Sequence, residues 1–187
     1  MEKRPYHHGD LRAALIAAGL AMLHERAADD LGLRELARRV GVSATAVYRH
    51  FPDKQALMTA LAHAGLAQLA AEQHAASDAA GGGEAGFDAT GRAYVKFALA
   101  NPALFRLIFS HAKSEDSAPD SADTPDAMRF LRENAMRFTQ DPERARLFAL
   151  RAWSLVHGLS VLMLDGMVPA DPALADAVVD AKDFAPG

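Results

Sequence analysis

Apolar residues recur along this chain three and four positions apart, and no window alternates apolar with polar residues for long, so helices are predicted and strands are not. From about Asp10 to Arg26, Leu11, Leu15, Gly19, Met22 and Leu23 form one stripe, with Asp10 near the positive end of the helix dipole. Residues 27–32 make a connection. Leu33, Leu36, Ala37 and Val40 then share one face of a short second helix. Gly41 stands where a helix stops in the left-handed conformation that only Gly adopts without strain. Val42 plugs the angle that follows, and Ser43 is the N-cap of a third helix in which Val47 and Phe51 point inward. Pro52 ends that helix, because a proline removes a helical hydrogen bond and clashes with the preceding turn.

Asp53 caps a fourth helix that carries Leu57, Leu61, Gly65, Leu66 and Leu69 and runs to about Ala76. Residues 77–86, SDAAGGGEAG, are expected to be a flexible linker; no Gly-Lys-Ser/Thr follows the glycines, so they make no phosphate loop. Tyr94 to Leu99 mark a fifth helix ending near Asn101-Pro102, and Leu104 to Phe109 a short, very apolar sixth. Lys113 to Asp126 reads as a mobile loop, Asp126 to Thr139 as a seventh helix, Asp141-Pro142 to Leu164 as an eighth and Leu174 to Val179 as a ninth. The fold class is therefore all-α, with about nine helices. A helix-turn-helix head occupies residues 1–53 and a helical ligand-binding and dimerisation domain residues 54–187.

The second and third helices divide their faces in a way that bears on function. One face holds the pair at a fixed angle, while Ala44, Thr45, Tyr48, Arg49 and His50 remain outside. That is the division a helix needs if it is to enter the major groove of DNA. Small residues at the start of the third helix let its backbone approach bases, and Tyr48, His50 and Lys54 carry donors suited to phosphate oxygens. A plain helical hairpin with a solvated face has the same spacing, but has no need of an exposed Tyr beside Arg and His.

The segment VGVSATAVYRHFPDKQAL resembles the DNA-binding signature of the TetR family of one-component regulators, in which Y-x-H-F-x-x-K joins the recognition helix to the next. Ala152-Trp153-Ser154-Leu155-Val156-His157-Gly158-Leu159 is similar to the W-x-x-x-H-G segment of one branch, which Tyr6-His7-His8-Gly9-Asp10-Leu11-Arg12 also suits. The resemblance implies that Ala44, Thr45 and Tyr48 face bases, that Ser43, His50 and Lys54 hold phosphates, and that Arg34 reaches a base or phosphate. Arg49 departs from the aromatic or apolar residue frequent at its position. It also implies a ligand cavity among helices five to eight.

Composition narrows the alternatives. Half of the 187 residues are hydrophobic and none is cysteine, which removes disulfides and thiolate metal sites. The N-terminus is polar where a signal peptide needs an apolar run. No apolar stretch is expected to approach the roughly 20 residues that span a bilayer, so a cytoplasmic protein without membrane partners is expected. The net charge of −4 divides unevenly. Residues 1–58 carry nine Lys/Arg and seven Asp/Glu (+2), and residues 59–187 carry eleven and seventeen (−6).

Ser154 and His157 lie at i, i+3, but a nucleophile–base pair also needs an orienting carboxylate and an oxyanion hole, so no enzyme is expected. His7-His8 lacks further ligands at metal spacing. Together with Lys3 and Arg4 it reads as a basic arm for backbone or minor-groove contacts, and neither metal nor cofactor is expected. Phe97, Phe105, Phe109, Phe130 and Trp153, with His157 or His111 as the polar group, are candidate walls of an apolar cavity, although core packing explains bulky residues at helical spacing equally well. The expectation is a DNA-binding transcriptional regulator: a homodimer through helices 8 and 9, acting as a repressor on a palindromic operator and released by a small-molecule effector. A ligand-independent architectural or activator protein and a helical interaction module are the rivals.

Overall fold

Several of the helices start at residues whose own side chains cap them. A computed structural model describes residues 8–111, 135, 136, 139 and 141–179. Its helices are α1 (His8–Leu23), α2 (Leu33–Val40), α3 (Ala44–Tyr48), α4 (Lys54–Ala79), α5 (Gly83–Ala100), α6 (Pro102–His111), α7 (Pro142–Leu164) and α8 (Pro172–Val178), with a single 3-10 turn at Ala28–Asp30 between α1 and α2. There are no strands among the described residues. Asp53 accepts from the Ala56 N–H at 2.7 Å ahead of α4. Asp141 and Asp171 do the same ahead of the prolines that open α7 and α8. Gly41 ends α2 at φ +76°, with the Val42 N–H returning to the Ala37 carbonyl. The segments expected as the mobile loop (113–126) and the seventh helix (126–139) fall outside the described residues except Ala135, Met136 and Thr139. α7 and α8 are the helices expected as eighth and ninth.

The described chain forms two compact units. The head holds the residues up to Gly65 and those of α6 from Ala103, and the second unit holds Leu66–Pro102 and the described residues beyond α6. The head buries Leu15, Met22, Leu36, Val47, Phe51, Leu57 and Leu61 at 2% exposure or less. Val40, expected in this core, is only half-buried, since it lies at the end of α2. Gly19 admits Leu61: a Cβ there would stand 2.8 Å from a Leu61 methyl. Gly65 likewise lets α6 close on α4, because its Cβ would meet Leu104 at 2.7 Å and Ile108 at 3.0 Å.

In the second unit α5 packs on α7 and α8. Phe87 lies against Phe148 with ring centroids 5.1 Å apart, in a cluster with Ala135, Ala145, Ala149 and Ala152. The expected linker at 77–86 is a tight turn. α4 continues to Ala79, α5 begins at Gly83, and Gly81, Gly82 and Gly83 all take positive φ of 61–80°. Three left-handed residues in a row reverse the chain, which other residues would do only under strain. Ser77, Gly86 and Phe87 are buried, and a Cβ on Gly86 would lie 2.8 Å from the Ser77 hydroxyl. The glycines therefore permit close packing.

The expectation that no stretch is long and apolar enough to cross a membrane is corrected by α7, which passes that test of length and composition with a mean hydropathy of 1.6. Its sides differ, however. Phe148, Ala152, Val156, Leu159 and Met163 are buried in the unit, whereas Leu147, Leu150 and Leu162 are 40–46% exposed.

The close approach at Gly65 yields a stability prediction. Gly65→Ala should destabilise the protein by about 1–3 kcal/mol, since the added methyl overpacks a contact with no space to accept it. A urea unfolding midpoint equal to that of the parent would contradict that reading of the contact.

Candidate functional site

α3 is only five residues long. A helix so short holds its direction by what it buries and how it is capped, not by its own hydrogen bonds. The Ser43 hydroxyl accepts from the Ala46 N–H at 3.2 Å, fixing the first turn. Although the helix closes at Tyr48, the Phe51 N–H still reaches the Val47 carbonyl at 2.9 Å, so both apolar side chains enter the core one turn apart. The Arg12 guanidinium of α1 sits 5.5 Å from the centre of the Phe51 ring, a cation–π contact that ties the end of α3 to α1.

The outward face follows from this anchoring. Thr45, Tyr48 and Arg49 are exposed, and Ala44 and His50 are half-exposed; Ser43, Arg34 of α2 and Lys54 at the start of α4 are exposed as well. Tyr48 shows 45% of its surface, high for a large aromatic ring. The basic residues behave unequally. Arg39 pairs with Glu25 through both guanidinium nitrogens, and its hydrogen bonds hold the Glu25 carboxyl below its ordinary range. Arg26 pairs with Glu35 at 2.8 Å and Arg38 with Glu35 at 3.6 Å. Arg34 and Arg49 are exposed beside α3 and form no ion pair among the described residues. The Lys54 ammonium donates to the Asp29 carbonyl of the 3-10 turn, linking the start of α4 to the connection before α2. The basic arm with Lys3, Arg4 and His7 lies outside the described residues.

The residues expected to line an effector cavity are divided. Phe97, Trp153 and His157 belong to the second unit and Phe105 and Phe109 to the head, where the last two rings pack 4.9 Å apart; Phe130 lies outside the described residues. Phe97 and Phe105 are buried at 1–2% exposure. Trp153 and His157 are brought together by a residue not assigned to a site from sequence. The buried Tyr94 hydroxyl accepts from the Trp153 indole N–H at 3.3 Å and stands 2.9 Å from His157 Nδ1. Burial pushes the Tyr94 hydroxyl well above the ordinary phenol range and pushes the His157 imidazole down, so both stay neutral at pH 7. Nδ1 of His157 is engaged by Tyr94, and Ser154 is exposed. A signal for Tyr94 existed in its i, i+4 spacing from Thr90 on an apolar helix, but its partners are 59 and 63 residues away.

A separate groove of about 890 Å³ lies among α4, α5 and α8, floored by Ala75, Ala76, Ala93 and Leu99 and edged by Arg92 and Lys96. None of the expected cavity residues lines it. Arg92 is held there by Asp176 at 3.8 Å and the Val179 carbonyl at 3.3 Å. Among the described residues no group of three or more His, Cys, Asp or Glu could hold a metal ion.

Two family descriptions match the chain: "Bacterial regulatory proteins, tetR family" over residues 15–61, and "Tetracyclin repressor-like, C-terminal domain" over residues 87–182. The tetracycline repressor protein class A from transposon 1721 (Escherichia coli) is 48% identical over 54 residues, 29% of this chain and 25% of the repressor. The match thus spans about a quarter of that curated relative's length. A protein of unknown function from Rhodococcus sp. RHA1 superimposes with a TM-score of 0.77 at 32% identity, over 98% of this chain and all of that one. A TetR variant from Acinetobacter baumannii AYE, solved in complex with minocycline, gives a TM-score of 0.57 at 26% identity, over 89% of this chain and 93% of that one.

The Tyr94–His157 contact yields a pH prediction. The folded state disfavours the proton that the unfolded chain takes up, so stability rises with pH up to the ordinary imidazole value of 6.5 and is lost as pH falls below it. In His157→Gln, which keeps an acceptor near Tyr94, the thermal midpoint should vary less between about pH 5 and pH 7 than in the parent. Parallel melting curves against pH would assign the dependence to other groups.

Proposed function

Because the chain belongs to the TetR family of bacterial transcriptional regulators, we propose that it is a homodimeric repressor that binds a palindromic operator and is released by a small-molecule effector. The observation that carries the reading is the outward face of α3, exposed and polar while Val47 and Phe51 anchor the opposite side. Ala44, Thr45 and Tyr48 read base edges in the major groove, Ser43, His50 and Lys54 meet phosphates, and the unpaired Arg34 and Arg49 add charge at the same surface. The hydroxyl of Ser43 accepts in its capping role, which leaves its proton for a phosphate oxygen.

The dimer forms through α7 and α8, the expected helices 8 and 9. Leu147, Leu150, Ser154, Gly158 and Leu162 recur at helical spacing along the uncovered side of α7, and a Cβ on Gly158 would meet nothing within 4 Å. Leucines around a small central residue suit close approach of a second helix. Two other small residues of α7, Ala149 and Ser160, are buried within the unit, with the Ser160 hydroxyl bonded to the Val156 carbonyl, so they do not serve the contact. Two heads joined in this way read two half-sites whose separation follows from the dimer.

The effector binds in the second unit of this reading, and the minocycline complex of a structural relative supports a small-molecule effector. Its neutral polar groups and aromatic side chains favour an apolar or aromatic molecule over a phosphorylated one. α4 contributes residues to both units, so an effector that displaces its C-terminal half alters the head and the fit to the half-sites.

Operator affinity tests the head. Tyr48→Ala should cost about 1–3 kcal/mol on the selected operator, and Lys54→Ala should reduce the slope of log affinity against log salt by about one unit. Fluorescence anisotropy on duplexes selected in vitro measures both, and unchanged binding by both variants would remove α3 from the mechanism. Sedimentation tests the dimer. Leu150→Glu and Leu162→Glu should each give folded monomers with weak operator binding, whereas Leu159→Glu should unfold the second unit, in which Leu159 is buried. A parent protein that sediments as a monomer at micromolar concentration would refute the assembly.

A further inference from the structure

Polar side chains in the second unit lie along one buried strip. Thr90 and Tyr94 are one turn apart on α5 and therefore share a face. On one side the Thr90 carbonyl meets the Gln73 amide of α4, and on the other Tyr94 meets Trp153 and His157 of α7. The Thr90 and Ser160 hydroxyls donate to the Gly86 and Val156 carbonyls. Gln73 differs from the rest. It is 5% exposed, its Nε2–Thr90 hydrogen bond is stretched to 3.5 Å, and its Oε1 has no hydrogen-bond partner among the described residues.

An apolar side chain of the same length would suit so enclosed a position better, because a buried carboxamide oxygen without a donor has lost its water and gained nothing. We propose that Gln73 is the polar anchor of the effector site, and that the effector carries an N–H or O–H donor which the Gln73 carboxamide oxygen accepts. The inference rests on the reading of this unit as the effector domain, and adds the chemistry of what is bound. The seam between α4 and α5 is closed at the Ser77–Gly86 approach, so in this proposal the effector reaches Gln73 from the Tyr94 side of the strip. The strip carries no charge at neutral pH, which favours a neutral donor over an ion. An amide is suited to this role because it can rotate to accept without a change in protonation.

The test uses the full chain, the variant Gln73→Met and two pairs of probes that differ by one donor: phenol with anisole, and indole with 1-methylindole. Trp153 is the only tryptophan, so its emission reports binding near the strip for the phenol pair, and competition against phenol reports the indoles. In the parent the donor-bearing member of each pair should bind about tenfold more tightly, the ratio expected of one hydrogen bond to a buried acceptor. In Gln73→Met the ratio should collapse to about one while the methylated probes bind no worse. The thermal midpoint of Gln73→Met should equal or exceed that of the parent. A lower midpoint would make the amide a structural member and overturn the proposal, and so would an unchanged ratio in the variant. Failure of every probe to bind saturably to the parent would overturn both this inference and the effector reading beneath it, whereas binding without dependence on Gln73 would overturn this inference alone.

Discussion

One helix has to complete two cores. α4 supplies Leu57, Met58, Leu61 and Ala62 to the head, and Leu69, Ala70, Gln73 and Ser77 to the second unit. The head depends on that contribution, because α2 and α3 have eight and five residues, too few to persist in water alone. Their mutual angle therefore comes from burial against longer helices. Because α4 is continuous, any strain in its C-terminal half acts on the same hydrogen-bonded rod that closes the head. Gly65 marks the point of change. It belongs to the head, makes room there for Leu104 and Ile108, and is followed at once by the residues of the other unit.

The head also separates its charges. Three of its arginines are engaged by Glu25 and Glu35, in exposed or half-buried pairs that contribute little to stability. Their larger effect is on distribution: cations paired at one place leave Arg34 and Arg49 to set the potential beside α3. A net charge of −4 thus coexists with a basic surface, since the acidic excess falls in residues 59–187.

Much of the head was legible in the sequence because its determinants are local. Gly41, Ser43 and Asp53 mark helix ends within a few residues of where they act, and Val47 and Phe51 reveal a face by spacing alone. Asp141 marks the start of α7 in the same way. Elsewhere composition misled. Three consecutive glycines suggest a linker, yet at Gly81–Gly83 they provide the positive φ of a tight reversal, and only the burial of Ser77 and Phe87 distinguishes the two cases. On α7 the leucines surround the helix, so the pattern could not tell Leu159, which is buried, from Leu162, which is not. That difference depends on which side α5 covers, and α5 itself begins earlier than its aromatic residues suggest.

The second unit shows why its polar strip was the least legible feature and why it matters physically. Alanines of α4 and α5 line the groove beside them, and small apolar side chains let helices approach without strongly preferring one register over the next. Hydrogen bonds do prefer one. The Tyr94 hydroxyl meets His157 Nδ1 only if α5 and α7 are aligned to within a fraction of a turn, and the Gln73–Thr90 contact sets the same requirement between α4 and α5. The strip therefore supplies the directional information that the alanines lack. Its weakest member is Gln73, where the hydrogen bond is longest and an acceptor has no partner. Of the three helices it joins, α4 contributes this weakest member of the strip, and it is also the one that enters the head. Under the proposed effector mechanism α4 needs an alignment that can be shifted at low free-energy cost, and the long Gln73–Thr90 hydrogen bond is consistent with that.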